Sequence, residues 1–141
     1  MNDYFDSSQP GYTTAPWKNY RTTLKHVIIE YGVKTVGSGA FLYYVSETDY
    51  GYTNFVDARI GNTVTSIGNE AFGRGIELKT VVVGRSVKTF NNNVFWSCPV
   101  LTNFYFHGTN EPTYENNVFS ECSSLKTIHV PINYEDSLSS F

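Results

Sequence analysis

Apolar positions in this chain fall in short bursts with a two-residue period, and the bursts recur. In Leu78-x-x-Val81-x-Val83, the buried candidates Val81 and Val83 alternate with Thr80, Val82 and Gly84. That period belongs to a strand with one buried face. The next unit reads Leu101-x-x-Phe104-x-Phe106, and the two preceding ones give Phe55, Ala58, Ile60 and Leu24, Val27, Ile29. A fifth, partial unit starts at Leu125, Ile128, Val130. β-branched and aromatic residues fill these segments, as strands prefer. Parallel strands are therefore expected at about 25–30, 56–61, 79–84, 102–107 and 126–130, bonded in chain order.

A second, shorter apolar pair follows each burst: Val33 and Val36, Val64 and Ile67, Val87 and Phe90. Gly37, Gly68 and the run 91–93 of asparagines flank it, where the chain must turn back. An Ala-Phe or Val-Phe pair then closes the unit. The segments GVKTVGSGAF (32–41), TVTSIGNEAF (63–72), SVKTFNNNVF (86–95) and EPTYENNVF (111–119) are four copies of one phrase. Their final phenylalanines are 31, 23 and 24 residues apart. A period near 23 implies units that cannot bury their own apolar face and so stack to share a core. The expected fold is a mainly β repeat solenoid, one coil per repeat, with a parallel sheet and a right-handed path. Helix is expected only as short turns and a C-terminal cap. Phe72, Phe95 and Phe119 should stack in one buried column, with Ile67 and Phe90 beside it.

The organisation that follows is one domain over 1–141. Residues 1–23 are a lead-in and cap, 24–130 hold about four and a half repeats, and 131–141 cap the other end. Trp17 and Tyr20 are placed to cover the first coil. Asn133 resembles a helix N-cap, with Glu135 and Asp136 in the first turn. Leu138 and Phe141 would fold back over the last rung.

Composition narrows the function. The net charge is −3, with 16% charged residues and no basic stripe, which argues against a nucleic-acid partner. No apolar run reaches the length of a membrane span, so direct insertion is not expected. The polar, acidic start does not read as a signal peptide. Cys98 and Cys122 occupy equivalent positions of adjacent units and are expected to be buried, free and inert. A stacked disulfide is the alternative, since rungs lie about 4.8 Å apart. His107 and His129 sit on adjacent rungs, but no third ligand is evident, and zinc sites need three or four. No nucleophile elbow is present. No cofactor, metal or catalytic residue is expected.

The repeat L-x-x-V-x-I-G-x-x-V-x-x-I-G-x-x-A-F-x-x-C-x-x-L resembles the BspA-like class of leucine-rich repeats. IGNTVTSIGNEAF (60–72) is close to that consensus, and APWKNYRTTLKHVIIEYGVKTVGSGAF (15–41) is similar to the family's lead-in. The resemblance covers about residues 15–141. It implies a non-catalytic surface or secreted module associated with adhesion and binding of host or cell-surface proteins. Extracellular or cell-surface localisation is implied with it. The family's lead-in commonly has one more strand upstream, so the chain is expected to be a fragment of a longer protein. This sequence departs from the pattern in three ways, one of them that both termini look cut. The first unit carries an insertion. The fourth has one extra residue and lacks the middle valine.

The outward positions of the expected sheet form three columns on its concave face. They are His26, Asp57, Thr80, Asn103, Thr127; then Ile28, Arg59, Val82, Tyr105, His129; then Glu30, Gly61, Gly84, His107, Pro131. The insertion, LYYVSETDYGYTN (42–54), carries Tyr43, Tyr44, Tyr50 and Tyr52. Insertions in solenoids map to surface loops, and tyrosine gives contact area at low entropy cost. Both features also have bland readings. Strand propensity alone selects Ile, Val and Tyr on a sheet, and loop tyrosines can pack on a flank. The expected protein-binding residues are Arg59, Tyr105, Tyr43, Tyr44 and Tyr50. Carbohydrate recognition by stacked tyrosines and a purely structural spacer are the competing readings.

Overall fold

The computed structural model describes residues 15–20, 22–42 and 53–134. A short 3-10 helix, Lys18–Tyr20, precedes nine strands and is the only helix among these residues. Strands β1 (His26–Ile29), β3 (Asp57–Ile60), β5 (Thr80–Val83), β7 (Asn103–Phe106) and β9 (Ile128–His129) form one sheet in that order. Strands β2 (Thr35–Val36), β4 (Ser66–Ile67), β6 (Thr89–Phe90) and β8 (Thr113–Tyr114) form a second. All pairings are parallel. The register joins the columns read from the repeat: His26, Asp57, Thr80 and Asn103 are partners, as are Ile28, Arg59, Val82, Tyr105 and His129. The chain is a parallel β-solenoid.

A third seam holds the rungs together without being a sheet. The amide of Phe41 donates to Ala71 O at 2.8 Å, that of Phe72 to Val94 O at 2.9 Å and that of Phe95 to Val118 O at 2.9 Å. This arc bends through pairs of residues with left-handed backbone. Glu70, Asn93 and Asn117 have φ of 55°, 58° and 59°, and Gly39 takes the same place with 63°. Four residues later Arg74, Ser97 and Glu121 have φ of 59°, 55° and 60°. Such conformations cost an L-residue about 1–2 kcal/mol each. They let every rung turn so that its amides meet the carbonyls of the next. An asparagine ladder runs beside them. Asn69 Oδ1 accepts from the Asn92 amide at 3.0 Å, and Asn92 Oδ1 accepts from the Asn116 amide at 3.0 Å.

The core lies between the three seams. Ile67, Phe72, Leu78, Val81, Val83, Phe90, Phe95 and Leu101 are fully buried. Phe41, Phe72, Phe95 and Phe119 stack in sequence at 5.0, 5.4 and 5.7 Å between centroids. Trp17 extends this ladder, stacking on Phe41 at 5.1 Å while its indole N–H donates to Ala40 O at 2.7 Å. Phe90 stands beside the ladder, 6.3 Å from Phe95.

Three details differ from expectation. Tyr20 is 64% exposed, so Trp17 alone of the pair covers the first coil; the Tyr20 carbonyl instead ends the 3-10 helix by accepting from the Thr23 and Leu24 amides. Phe119 is half-buried rather than buried, although it continues the stack. The last strand is only two residues long, and Ile128 and Val130 are 41% and 44% exposed. Tyr134 meets Phe106 edge-on at 6.2 Å, so rung-end packing reaches the core through Tyr134 rather than through those two side chains. The expected cap helix, with Glu135, Asp136, Leu138 and Phe141, lies outside the described residues.

The two cysteines are free, as expected, but unequal. Cys98 is buried and donates to Phe72 O at 3.5 Å; Cys122 is half-buried and donates to Phe95 O at 3.1 Å. Each thiol thus bonds to the preceding rung's phenylalanine. The contact with Cys122, reinforced by burial, pushes the Cys98 thiol up, while the hydrogen bond from Cys98 lowers that of Cys122. The pair therefore loses its first proton at the more exposed sulfur. Cys122 is expected to be alkylated by iodoacetamide in the native protein, increasingly so as pH rises towards the ordinary thiol range, and Cys98 only on unfolding. Peptide mass mapping after timed quenching reads this directly; equal labelling of both would contradict it. The expectation that both thiols are free holds, and the expectation that both are buried fails for Cys122, which is half-buried.

Candidate functional site

The outer face of the five-stranded sheet is built by alternation. Along β1, β3, β5 and β7 every second side chain enters the core, which forces the intervening ones outward. Parallel register then stacks these outward groups across rungs about 4.8 Å apart. In the first column the His26 imidazole Nδ1 meets Asp57 Oδ2 at 2.7 Å. The pairing leaves Nε2 of His26 facing away from the carboxylate. Alignment of the repeats made these residues neighbours, and their unlike chemistry at one column position was the available signal for the bond.

The second column is mixed. Ile28 is 63% exposed, Arg59 is exposed, and Val82 and Tyr105 are half-buried. Tyr105 stacks on His129 with ring centroids 4.6 Å apart and planes 17° from parallel. Arg59 stands between Ile28 and Val82, and Tyr105 follows Val82. Arg59 and Tyr105 are thus two rungs apart, about 10 Å along the stack. A cation, an aromatic pair and aliphatic side chains share one line on a rigid sheet.

The third column is lowered by glycine. A Cβ on Gly61 would lie 2.5 Å from Ile29 O, and one on Gly84 would lie 2.6 Å from the carbonyl carbon and oxygen of Gly61. Backbones of successive rungs approach there, so this border of the face carries no side chain between Glu30 and His107.

The structure therefore brings Arg59 and Tyr105 onto one face. Tyr43, Tyr44 and Tyr50 lie outside the described residues. Among the described residues no group of three or more His, Cys, Asp or Glu is placed to hold a metal ion, and His107 stands in a different column from His129. No helix among them is long and apolar enough to cross a membrane.

Neither the curated proteins nor the solved structures contain a match to this chain. A family model does match: the BspA type leucine rich repeat region, in 6 copies over residues 43–140. The match begins after β2, yet β1 and β2 pair with β3 and β4 in the same parallel register. The coil therefore extends at least one rung upstream of the matched region. With more than two thirds of its length covered, and with stacked parallel rungs on either side of the boundary, this chain belongs to the BspA-type leucine-rich-repeat family.

Proposed function

We propose that this domain is a non-catalytic protein-binding module that works at a cell surface or in the extracellular space, and that it uses the outer face of the five-stranded sheet. Leucine-rich repeats commonly mediate protein–protein contact, and solenoids of this type are generally scaffolds rather than catalysts. BspA-type repeats are typically found in surface proteins. The observation that carries the reading is the second column. Ile28, Arg59, Val82, Tyr105 and His129 run in unbroken register across five strands. Such a surface is ordered before contact, so binding sacrifices little further entropy. Tyr and Arg are favoured at the energetic centres of interfaces. We assign the contact to Arg59 and Tyr105, and include Tyr43, Tyr44 and Tyr50 of the insertion on the ground of their residue type alone.

The test uses two variants, R59A/Y105A and a deletion of 44–51, each checked for an unchanged far-ultraviolet circular dichroism spectrum. Binding is measured by surface plasmon resonance against a panel of immobilised matrix and cell-surface proteins. Loss of at least one central contact should weaken capture by about 30-fold, the equivalent of about 2 kcal/mol. Unchanged binding by both variants, or a parent chain that captures nothing across the panel, would reject the assignment.

A further inference from the structure

The fourth rung departs from the others at one place, and a cleft lies there. Register aligns β6 with β8, pairing Thr89 with Thr113 and Phe90 with Tyr114. Counting back from that pairing sets Glu111 opposite Val87. Glu111 is exposed, and the neighbouring Pro112 is the buried residue of this stretch. The pairing offset is 23 at Val83 and Phe106 but 24 at Thr89 and Thr113, so the extra residue falls in the segment 107–112, next to the rung that carries Val87. Between them is a cleft of about 380 Å3, lined by Arg85, Val87 and Lys88 on one side and by Thr109, Asn110 and Thr113 on the other.

Its chemistry is one-sided. Arg85 and Lys88 are exposed, and among the described residues no carboxylate forms an ion pair with either. The Arg85 backbone is fixed, since its amide donates to Asn62 Oδ1 at 3.2 Å. Lys88 is likewise anchored by backbone bonds on both sides: its amide donates to Thr65 O and its carbonyl accepts from the Thr113 amide, each at 2.8 Å. Two cations thus stand on ordered backbone. Glu111, which has an interaction of its own, offsets one of them and leaves a single excess positive charge. The opposite wall supplies two hydroxyls and an amide, with Thr109 Oγ1 already bonded to Asn110 Oδ1 at 3.2 Å. No aromatic ring lines the cleft.

We infer that this cleft is a binding site for a small, hydroxyl-rich monoanion, the chemistry of an acidic monosaccharide. The carboxylate would sit between the Arg85 guanidinium and the Lys88 ammonium. The ring hydroxyls would face Thr109, Asn110 and Thr113. A cleft of this size lies within the usual range for small-molecule sites. A fork-shaped guanidinium suits a carboxylate, and the ammonium adds a point charge. The site is on a different wall from the sheet face that is assigned to protein contact, so either assignment can fail without the other.

The experiment is a titration of the full 141-residue chain, labelled with 15N, in two-dimensional NMR at low ionic strength. Glucuronate is the probe, glucose the neutral control and sulfate the anion control. Glucuronate should give saturable shifts at the amides of 85–88 and 108–113, with millimolar affinity. Glucose should bind at least about tenfold more weakly, matching the loss of one charged contact of about 1.4 kcal/mol. The R85A/K88A variant changes only exposed side chains and should keep the spectrum of the fold while losing the glucuronate shifts. The inference is overturned by an absence of saturable shifts, by equal binding of glucose, by sulfate binding as tightly as glucuronate, or by shifts that survive in R85A/K88A.

Discussion

Truncating Phe95 to alanine is expected to lower the unfolding free energy by about 3–5 kcal/mol. Phe95 is fully buried in the middle of the ladder. Its ring stacks on Phe72 below and Phe119 above, meets Phe104 edge-on at 5.3 Å and lies 6.3 Å from Phe90. Its removal opens a cavity that the backbone cannot close. The Phe95 amide is tied to Val118 O, and the Phe72 amide to Val94 O, so both neighbouring rungs are held at their spacing. Phe119→Ala should cost less, because Phe119 is only half-buried. Urea unfolding followed by circular dichroism measures both. A loss below about 1 kcal/mol for Phe95→Ala would mean that the ring does not fill the core.

The smallest substitution in the chain carries the second large effect. Gly84→Ala should destabilise by at least about 1–3 kcal/mol, the usual cost of overpacking. The new methyl carbon would lie 2.6 Å from the carbonyl of Gly61 and 2.8 Å from the Asn62 amide nitrogen. These are backbone atoms, and no rotamer can move them aside. Separating the rungs would also stretch the Gly84 amide bond to Ile60 O, now 2.8 Å. Gly73→Ala is the natural control. Its methyl would find Leu42 Cδ1 at 3.4 Å and Glu70 O at 3.5 Å, ordinary contacts, and it should be neutral or stabilise by about 0.4–1 kcal/mol through the unfolded chain. Similar midpoints for the two variants in thermal unfolding would contradict the close approach of rungs at Gly84.

The sheet register was legible because the repeat and the two-residue alternation are both visible in the string. Once Phe72, Phe95 and Phe119 are aligned, the pairing of Arg59 with Val82 and Val82 with Tyr105 follows by counting. The third seam was not legible. Its turning residues include Glu70, Arg74, Ser97 and Glu121, none of which favours left-handed backbone. Stacking imposes that conformation, because each rung's amides must meet the next rung's carbonyls. The inequality of the cysteines was hidden for a related reason. Cys98 and Cys122 are equivalent by repeat position, but burial depends on what lies above each rung. The face itself was legible as columns of residue types. The hydrogen bond between His26 and Asp57 needed side-chain geometry that spacing does not carry.

The three seams also govern how the coil responds to tension. Every bonded partner of a rung is the rung before or after it, at a sequence distance near one repeat. Load applied along the chain would reach the outermost rung first and strip its bonds before those beneath it. Each detached rung of about 23 residues would release roughly 80 Å of extended chain while the remaining stack stayed closed. A domain built in this way yields length in steps, so a contact held on its sheet face could outlast the loss of a terminal coil.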